Sequence, residues 1–174
     1  RMRAQIAKLP DGEYFYEDYL ETFGPPPQYR LEPLLLPLRL TVTGETLTAD
    51  FTGAAEQAPA PVNSTLAVTA ASVFITLKSI FDPTQALNHG SFRPVSIIAP
   101  EGTIVNVTHP APAGSHGEIR KRVIATMLGA LSHALFSYTH LRAHETRHDL
   151  VCRLPLDKNK LASLAESFIV SNTV

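Results

Sequence analysis

Five positions between residues 50 and 93 carry groups suited to chemistry on a small polar molecule: Asp50, Asn63, Asn88, Gly90 and Arg93. Asp50 closes an alternating run just before Gly53. There a carboxylate can orient a substrate or accept its proton, or simply bond the backbone amides of the turn. The Arg93 guanidinium suits bidentate capture of a carboxylate or a phosphorylated intermediate; its structural alternative is an ion pair with a loop acid such as Glu101. Because Arg93 precedes Pro94, extended backbone is expected there. Asn63 can hydrogen-bond a substrate amide or ring carbonyl, or cap the helix that follows through its side-chain oxygen. The two roles are compatible, since a helix N-terminus also attracts anionic groups. In Asn88-His89-Gly90 the glycine signals tight backbone geometry or close approach of a ligand, and His89 reads as a solvent-facing loop histidine.

A second constellation lies near the end of the chain, where His140, His144, His148 and Cys152 recur every four residues. On a helix that spacing stacks metal-competent side chains on one face, and three imidazoles with a thiolate suit zinc. The stripe has a competing origin. Residues 137–160, from Ser137-Tyr138-Thr139-His140-Leu141-Arg142 through Leu150-Val151-Cys152-Arg153-Leu154 to Lys158-Asn159-Lys160, resemble the conceptual translation of a sequencing adapter. The stripe is therefore read as spurious, no metal site is assigned, and residues 137–174 are read as a non-native tail, either disordered or an arbitrary helix. His109 and His116 flank a Pro/Ala/Gly loop and read as ordinary loop residues.

These groups need elements to hold them. Leu38, Leu40 and Val42 alternate with Arg39, Thr41 and Thr43, and after Gly44-Glu45 the alternation resumes through Leu47, Ala49 and Phe51. Period two on both sides of a Gly-X pair predicts a β-hairpin with a type II′ turn. Residues 13–20 read as an edge strand, residues 1–8 as the end of a helix, Pro10-Asp11-Gly12 as a turn, and Pro25-Pro26-Pro27 as a rigid connector. Leu66 to Phe81 reads as a helix, apolar almost all round and so in need of cover on every side. Two short strands, 95–99 and 103–107, are expected around Pro100-Glu101-Gly102. A final helix over 117–136 carries Ile119, Val123, Ile124, Met127, Leu128, Leu131 and Leu135 at three- and four-residue spacing, with Arg120, Lys121 and Arg122 as its solvated first turn. The fold class is α+β, a fragment of a larger domain, and the piece alone is expected to be poorly soluble.

Composition narrows the function. The 174 residues are 44% hydrophobic and 18% charged, with 15 Lys+Arg against 16 Asp+Glu, which excludes a disordered chain and argues against a nucleic-acid surface. No apolar run approaches the ~20 residues of a membrane span. Arg1-Met2-Arg3-Ala4-Gln5 lacks the apolar core of a secretory signal, so a soluble cytoplasmic protein is expected. A single cysteine allows no internal disulfide. Neither a Walker phosphate loop nor a Gly-x-Gly-x-x-Gly fingerprint occurs, so nothing here cradles a nucleotide.

Taken in order, Pro10-Asp11-Gly12, Asp50-Phe51-Thr52-Gly53, Asn63, Asn88-His89-Gly90-Ser91-Phe92-Arg93-Pro94 and Ala99-Pro100-Glu101-Gly102-Thr103-Ile104-Val105-Asn106 resemble the hydantoinase B/oxoprolinase family over about residues 4–136. That family includes the B-type chains of N-methylhydantoinase, 5-oxoprolinase, and components of acetone and acetophenone carboxylases. The resemblance implies an internal fragment of an ATP-dependent cyclic-amide hydrolase. ATP with Mg would be bound by a hydantoinase A-type partner subunit or fused domain, and any divalent metal would be held by ligands outside this segment. Within that frame Asp50 and Arg93 are the catalytic candidates, and Asn63, Asn88 and Gly90 the substrate-binding ones. An acetone-carboxylase-like subunit region, or a purely structural docking segment, are the alternatives, and the fragment alone is expected to be inactive.

Overall fold

The structure, a computed structural model, describes residues 1–21, 32–84, 86, 88–114 and 116–145, with side chains to residue 135. Arg1–Leu141 makes a compact unit by itself. In chain order the elements are α1 (Met2–Ile6), β1 (Gly12–Leu20), β2 (Leu34–Thr43), β3 (Thr46–Asp50), α2 (Leu66–Phe81), a single 3-10 turn (His89–Phe92), β4 (Val95–Ile98) and α3 (His116–Glu145). The class is α+β.

The four strands form one sheet in the order β1-β2-β3-β4. β1 pairs with β2, and β2 with β3, antiparallel, whereas β4 joins β3 parallel. The expected hairpin is β2–β3, closing at Thr43↔Thr46 with Gly44 at φ 57° in its loop, a left-handed value that favours glycine. Alternation sets the core: Leu36, Leu38, Leu40, Val42, Leu47 and Ala49 are buried on one face while Arg39 and Thr43 face solvent. The Pro10-Asp11-Gly12 turn is tied to this hairpin, because Asp11 Oδ1 accepts from the Gly44 amide at 2.7 Å and Tyr14 donates its hydroxyl to the Pro10 carbonyl at 2.9 Å. Burial, with the Asp11 charge as the smaller cause, pushes the Tyr14 phenol pKa above its ordinary value.

The expected second strand pair does not form. Thr103–Val107 makes only isolated bridges, and β4 takes the edge of β3 instead. The reason is burial without alternation: neighbouring Ile104 and Val105 are both fully buried, whereas a strand sends successive side chains to opposite faces. The segment bonds across to the preceding loop, with Ile104 N on Ala55 O, Ser64 N on Ile104 O and Val107 N on Ser64 O.

Helix α2 has the expected bounds, but among the described residues it is not covered on every side. It buries Thr69, Ser72, Val73, Thr76, Leu77 and Lys78, while Leu66 and Ile75 are about half exposed. Its buried hydroxyls are satisfied locally, Ser72 and Thr76 on carbonyls four residues back and Thr69 on Val105 O. Val73 and Leu77 join the core, and Phe74, Ile80 and Phe81 pack against it, Phe74 stacking on Phe92 with centroids 4.2 Å apart; Leu66 and Ile75 mark the face left open among the described residues. Helix α3 begins one residue before its expected start and continues beyond residue 136. It buries Ile119, Val123, Met127 and Leu131, but leaves Leu128 and Leu135 exposed. It is fastened to β1 by Arg122–Asp18 at 3.1 Å, so this arginine is paired rather than solvated, and by His133 Nδ1 on the Phe15 carbonyl at 3.1 Å.

Candidate functional site

The loop that leaves α2 builds the candidate site. Asp82 terminates the helix with both its backbone amide and its carboxylate: the amide bonds Lys78 O, and Oδ2 takes the Lys78 ammonium at 3.0 Å. Both side chains are about nine-tenths buried. Such a pair must stay matched, because removing either member leaves a buried charge without its counterion. The second carboxylate oxygen of Asp82 lies 3.8 Å from Arg1.

Next comes the 3-10 turn. Asn88 caps it, its Oδ1 accepting from both the amide and the hydroxyl of Ser91 at 3.1 and 3.3 Å. A Cβ at Gly90 would stand 3.1 Å from that same oxygen, so the absent side chain lets the cap close. Arg93 follows as the C-cap residue with φ −53° and ψ −33°, helical rather than the extended backbone that a following proline favours. The turn wins over that bias because it must close before Pro94 gives its carbonyl to Leu47 N at 2.9 Å and starts β4. No ion pair joins Arg93 to Glu101 or to any other acid among the described residues.

Asn88, Gly90 and Arg93 open onto one cleft of about 350 Å³, together with Arg1, Arg3, Asp82 and Ser91. That volume falls in the range of small-molecule sites, ~300–1,000 Å³. Sequence reasoning assembles three of its members and misses Arg1, Arg3 and Asp82. The i,i+4 spacing of Lys78 and Asp82 is the available signal, whereas Asp82-Pro83 alone signals only a helix stop.

The other two candidates stand elsewhere. Leu47 lies beside Val95 and Asp50 beside Ile98 on parallel strands, so Asp50 and Arg93 sit at opposite ends, at least ~10 Å apart at ~3.3 Å per residue. Asp50 accepts from the amide and hydroxyl of Thr52 at 2.8 and 2.6 Å, the turn-bonding geometry. Replacing it with Ala should lower stability by ~1 kcal/mol, read as a shift in urea midpoint; no shift would show that the turn does not need it. Asn63 does not cap α2, whose N-cap residue is Thr65. It is fully buried, with Oδ1 on Ala58 N at 2.7 Å and Nδ2 facing the carbonyls of Ala58, Ala60 and Pro112 at 2.8, 3.1 and 2.7 Å. Every polar atom of this amide is engaged within the chain.

No group of three or more His, Cys, Asp or Glu side chains fit to hold a metal occurs among the described residues. The side chains of His140 and His144, and all of His148 and Cys152, lie outside the described residues, as does Pro25-Pro26-Pro27. No described helix is long and apolar enough to cross a membrane.

Comparison with known proteins decides the lineage. The sequence pattern of hydantoinase B/oxoprolinase matches residues 1–154. The chain belongs to the hydantoinase B/oxoprolinase family. The B-type chain of a putative D-/L-hydantoinase from Pseudomonas sp. (strain NS671) is 33% identical over 138 residues, covering 75% of this chain and 23% of its own length. An uncharacterized protein of Methanocaldococcus jannaschii is 37% identical over 117 residues, covering 67% of this chain and 20% of its own. Among solved structures, the ATP-dependent caprolactamase of Pseudomonas jessenii superposes with a TM-score of 0.68 at 25% identity, covering 76% of this chain and 22% of that one. The nucleotide-free structure of an acetone carboxylase gives 0.69 at 16% identity, covering 81% and 20%, which shows a shared fold. This hydantoinase B/oxoprolinase chain thus spans about a fifth of the length of the relatives it matches.

Proposed function

We propose that this chain is a region of the B part of an ATP-dependent enzyme that opens cyclic amides, acting with a hydantoinase A-type subunit or fused domain that binds ATP and Mg. One observation carries the reading: the 25% identity to an ATP-dependent caprolactamase, aligned over 76% of this chain in the same fold. The cleft adds to it. Its volume suits a small ring, Asn88 and Ser91 offer hydrogen-bonding groups, and Arg93 presents a guanidinium to a carbonyl-derived or phosphorylated oxygen. The acetone-carboxylase alternative rests on a likeness of fold at 16% identity and is the weaker for it.

The test uses the complete protein with its A-type partner, supplied with ATP and either a hydantoin, 5-oxoproline or caprolactam, or with acetone and bicarbonate. Ring opening coupled to ATP consumption is the expected result; carboxylation alone would transfer the assignment to the second reading. In the same assay Arg93→Gln and Asp50→Asn separate chemistry from docking. Lost turnover in an assembled complex places the residue in the reaction, whereas intact turnover in both variants would leave this region a structural segment.

The assignment of 137–174 as an adapter-derived tail belongs to this proposal. The family match runs on to residue 154, so the boundary is decided at the DNA level. Sequencing the source gene across codons 125–165 is expected to show coding that departs from this chain after Phe136; the same codons throughout would make the tail authentic.

A further inference from the structure

We infer that the cleft between α1, the end of α2 and the 3-10 turn is a receptor for a single oxyanion group, a carboxylate or a phosphoryl group. The inference names the ligand class of the proposed reaction's site and rests on that reading only for its place in catalysis.

Charge arrangement carries it. Three arginines line the cleft, Arg1, Arg3 and Arg93, against one acidic residue, Asp82. That carboxylate is already satisfied. It holds the buried Lys78 ammonium at 3.0 Å and meets Arg1 at 3.8 Å on its other oxygen, so the cation excess is not consumed inside the cleft. Arg3 has one loose and exposed partner, Glu45 at 3.7 Å on the hairpin loop. Arg93 has no acidic partner among the described residues. With Lys78 on one oxygen and Arg1 on the other, Asp82 has no further charge to set against Arg3 and Arg93. An incoming oxyanion would be the group that completes the set, through charge-assisted hydrogen bonds of the kind guanidinium makes with carboxylate and phosphate.

Backbone shape points the same way. The Asn88 side chain spends its oxygen on Ser91, which directs acceptor character inward to the turn and leaves the amide NH₂ as its remaining polar group. Among the described residues it reaches Ala86 O, at 3.5 Å. Gly90 brings no side chain to the lining. The donors of the wall are the arginines and the Asn88 amide NH₂, while Ser91 Oγ, its proton given to Asn88, remains a neutral acceptor; the excess of cationic donors favours an anion over a cation.

The test is titration of the intact protein that contains these 174 residues, with no ATP added, with inorganic phosphate, with 5-oxoproline, and with pyrrolidone, the same ring lacking the carboxylate. Calorimetry at low ionic strength gives the affinities. At least one oxyanion is expected to bind, with pyrrolidone much weaker. Arg93→Gln and Arg3→Gln should each weaken binding by about tenfold, while Lys121→Gln on α3 should leave it unchanged. Binding of 5-oxoproline but not phosphate identifies a substrate carboxylate as the occupant; the converse identifies a phosphoryl group. The inference is overturned if neither oxyanion binds, if pyrrolidone binds equally well, or if both arginine variants retain full affinity with an unaltered far-UV spectrum. It is equally overturned if Lys121→Gln loses as much as they do. Because no turnover is measured, failure here leaves the cyclic-amide reading standing, and an inactive reconstituted enzyme would leave this binding result intact.

Discussion

Replacing Asn63 by leucine is expected to cost ~3–5 kcal/mol of stability, because each buried polar group left without a partner costs ~1–3 kcal/mol. The carboxamide joins two stretches of chain, its own loop at Ala58, through both amide and carbonyl, and at Ala60, and Pro112 from 49 residues further on. Leucine has similar bulk but satisfies none of them, and the site is fully buried, so water cannot substitute without opening the loop. Asn63→Asp keeps the oxygen that accepts from Ala58 N and loses the donors to the three carbonyls, so it should fail almost as badly. Urea denaturation of the chain reads both effects. A loss within ~1 kcal/mol for the leucine variant would show that the loop re-forms without this amide, and would return Asn63 to contention as a group with bonding capacity to offer a substrate.

Asn63 also illustrates how far the sequence carries. An asparagine just before Ser-Thr and an apolar helical run has the signature of an N-cap, and local spacing alone supports that reading. What decides otherwise is the loop before it: the side-chain oxygen that would cap a helix accepts from Ala58 N five residues back, and the amide NH₂ reaches Pro112 O, a partner that arrives only through tertiary folding. The same limit governs the strands. Alternation in 38–51 specifies β2 and β3 because one of their faces meets the core and the other meets solvent. In 103–107 the side chains are buried on successive positions, so there is no period to distinguish a strand from a packed loop. Helix α2 is legible in extent, since Asp82-Pro83 stops it, but not in orientation. A nearly all-apolar helix has almost no preferred face, and here Val73 and Leu77 turn inward together with Thr69, Ser72 and Thr76, whose hydroxyls tolerate burial because carbonyls accept from them.

The candidate site is legible where residues adjacent in sequence form it. Asn88, Gly90 and Arg93 belong to one turn, and glycine beside a capping asparagine signals tight geometry. Arg1, Arg3 and Asp82 reach the same cleft from α1 and the end of α2, and only folding brings them to Arg93. Motif order along the chain groups Asp50 with Arg93. The parallel register of β3 and β4 separates them, and a parallel pairing cannot be read from two strands joined only through a helix and a loop.

The second large effect is expected at Gly129, in the middle of α3. A Cβ there would lie 2.5 to 2.6 Å from three ring atoms of Tyr16, closer than non-bonded carbons approach. On an exposed helix face Gly→Ala would stabilise by ~1 kcal/mol through backbone entropy. Here the clash should reverse the sign, since forcing extra methyl groups into filled space costs ~1–3 kcal/mol. Gly129→Ala should therefore be net destabilising and Gly129→Val more so, by ~3 kcal/mol once its branched side chain adds to the helix penalty. Tyr16 is exposed on its outer side, so its ring would yield, but it stands against His133 with centroids 5.8 Å apart, and His133 in turn holds the Phe15 carbonyl at 3.1 Å. Displacing the ring thus threatens the hydrogen bond that fastens α3 to β1. A double-mutant cycle measures this directly. With Tyr16→Ala as background the ring is gone, and Gly129→Ala should recover its intrinsic helix benefit, giving a coupling of ~1–3 kcal/mol. If Gly129→Ala stabilises the chain equally in both backgrounds, the helix and strand are farther apart in solution than the structure places them, and the close seating of α3 on β1 is wrong.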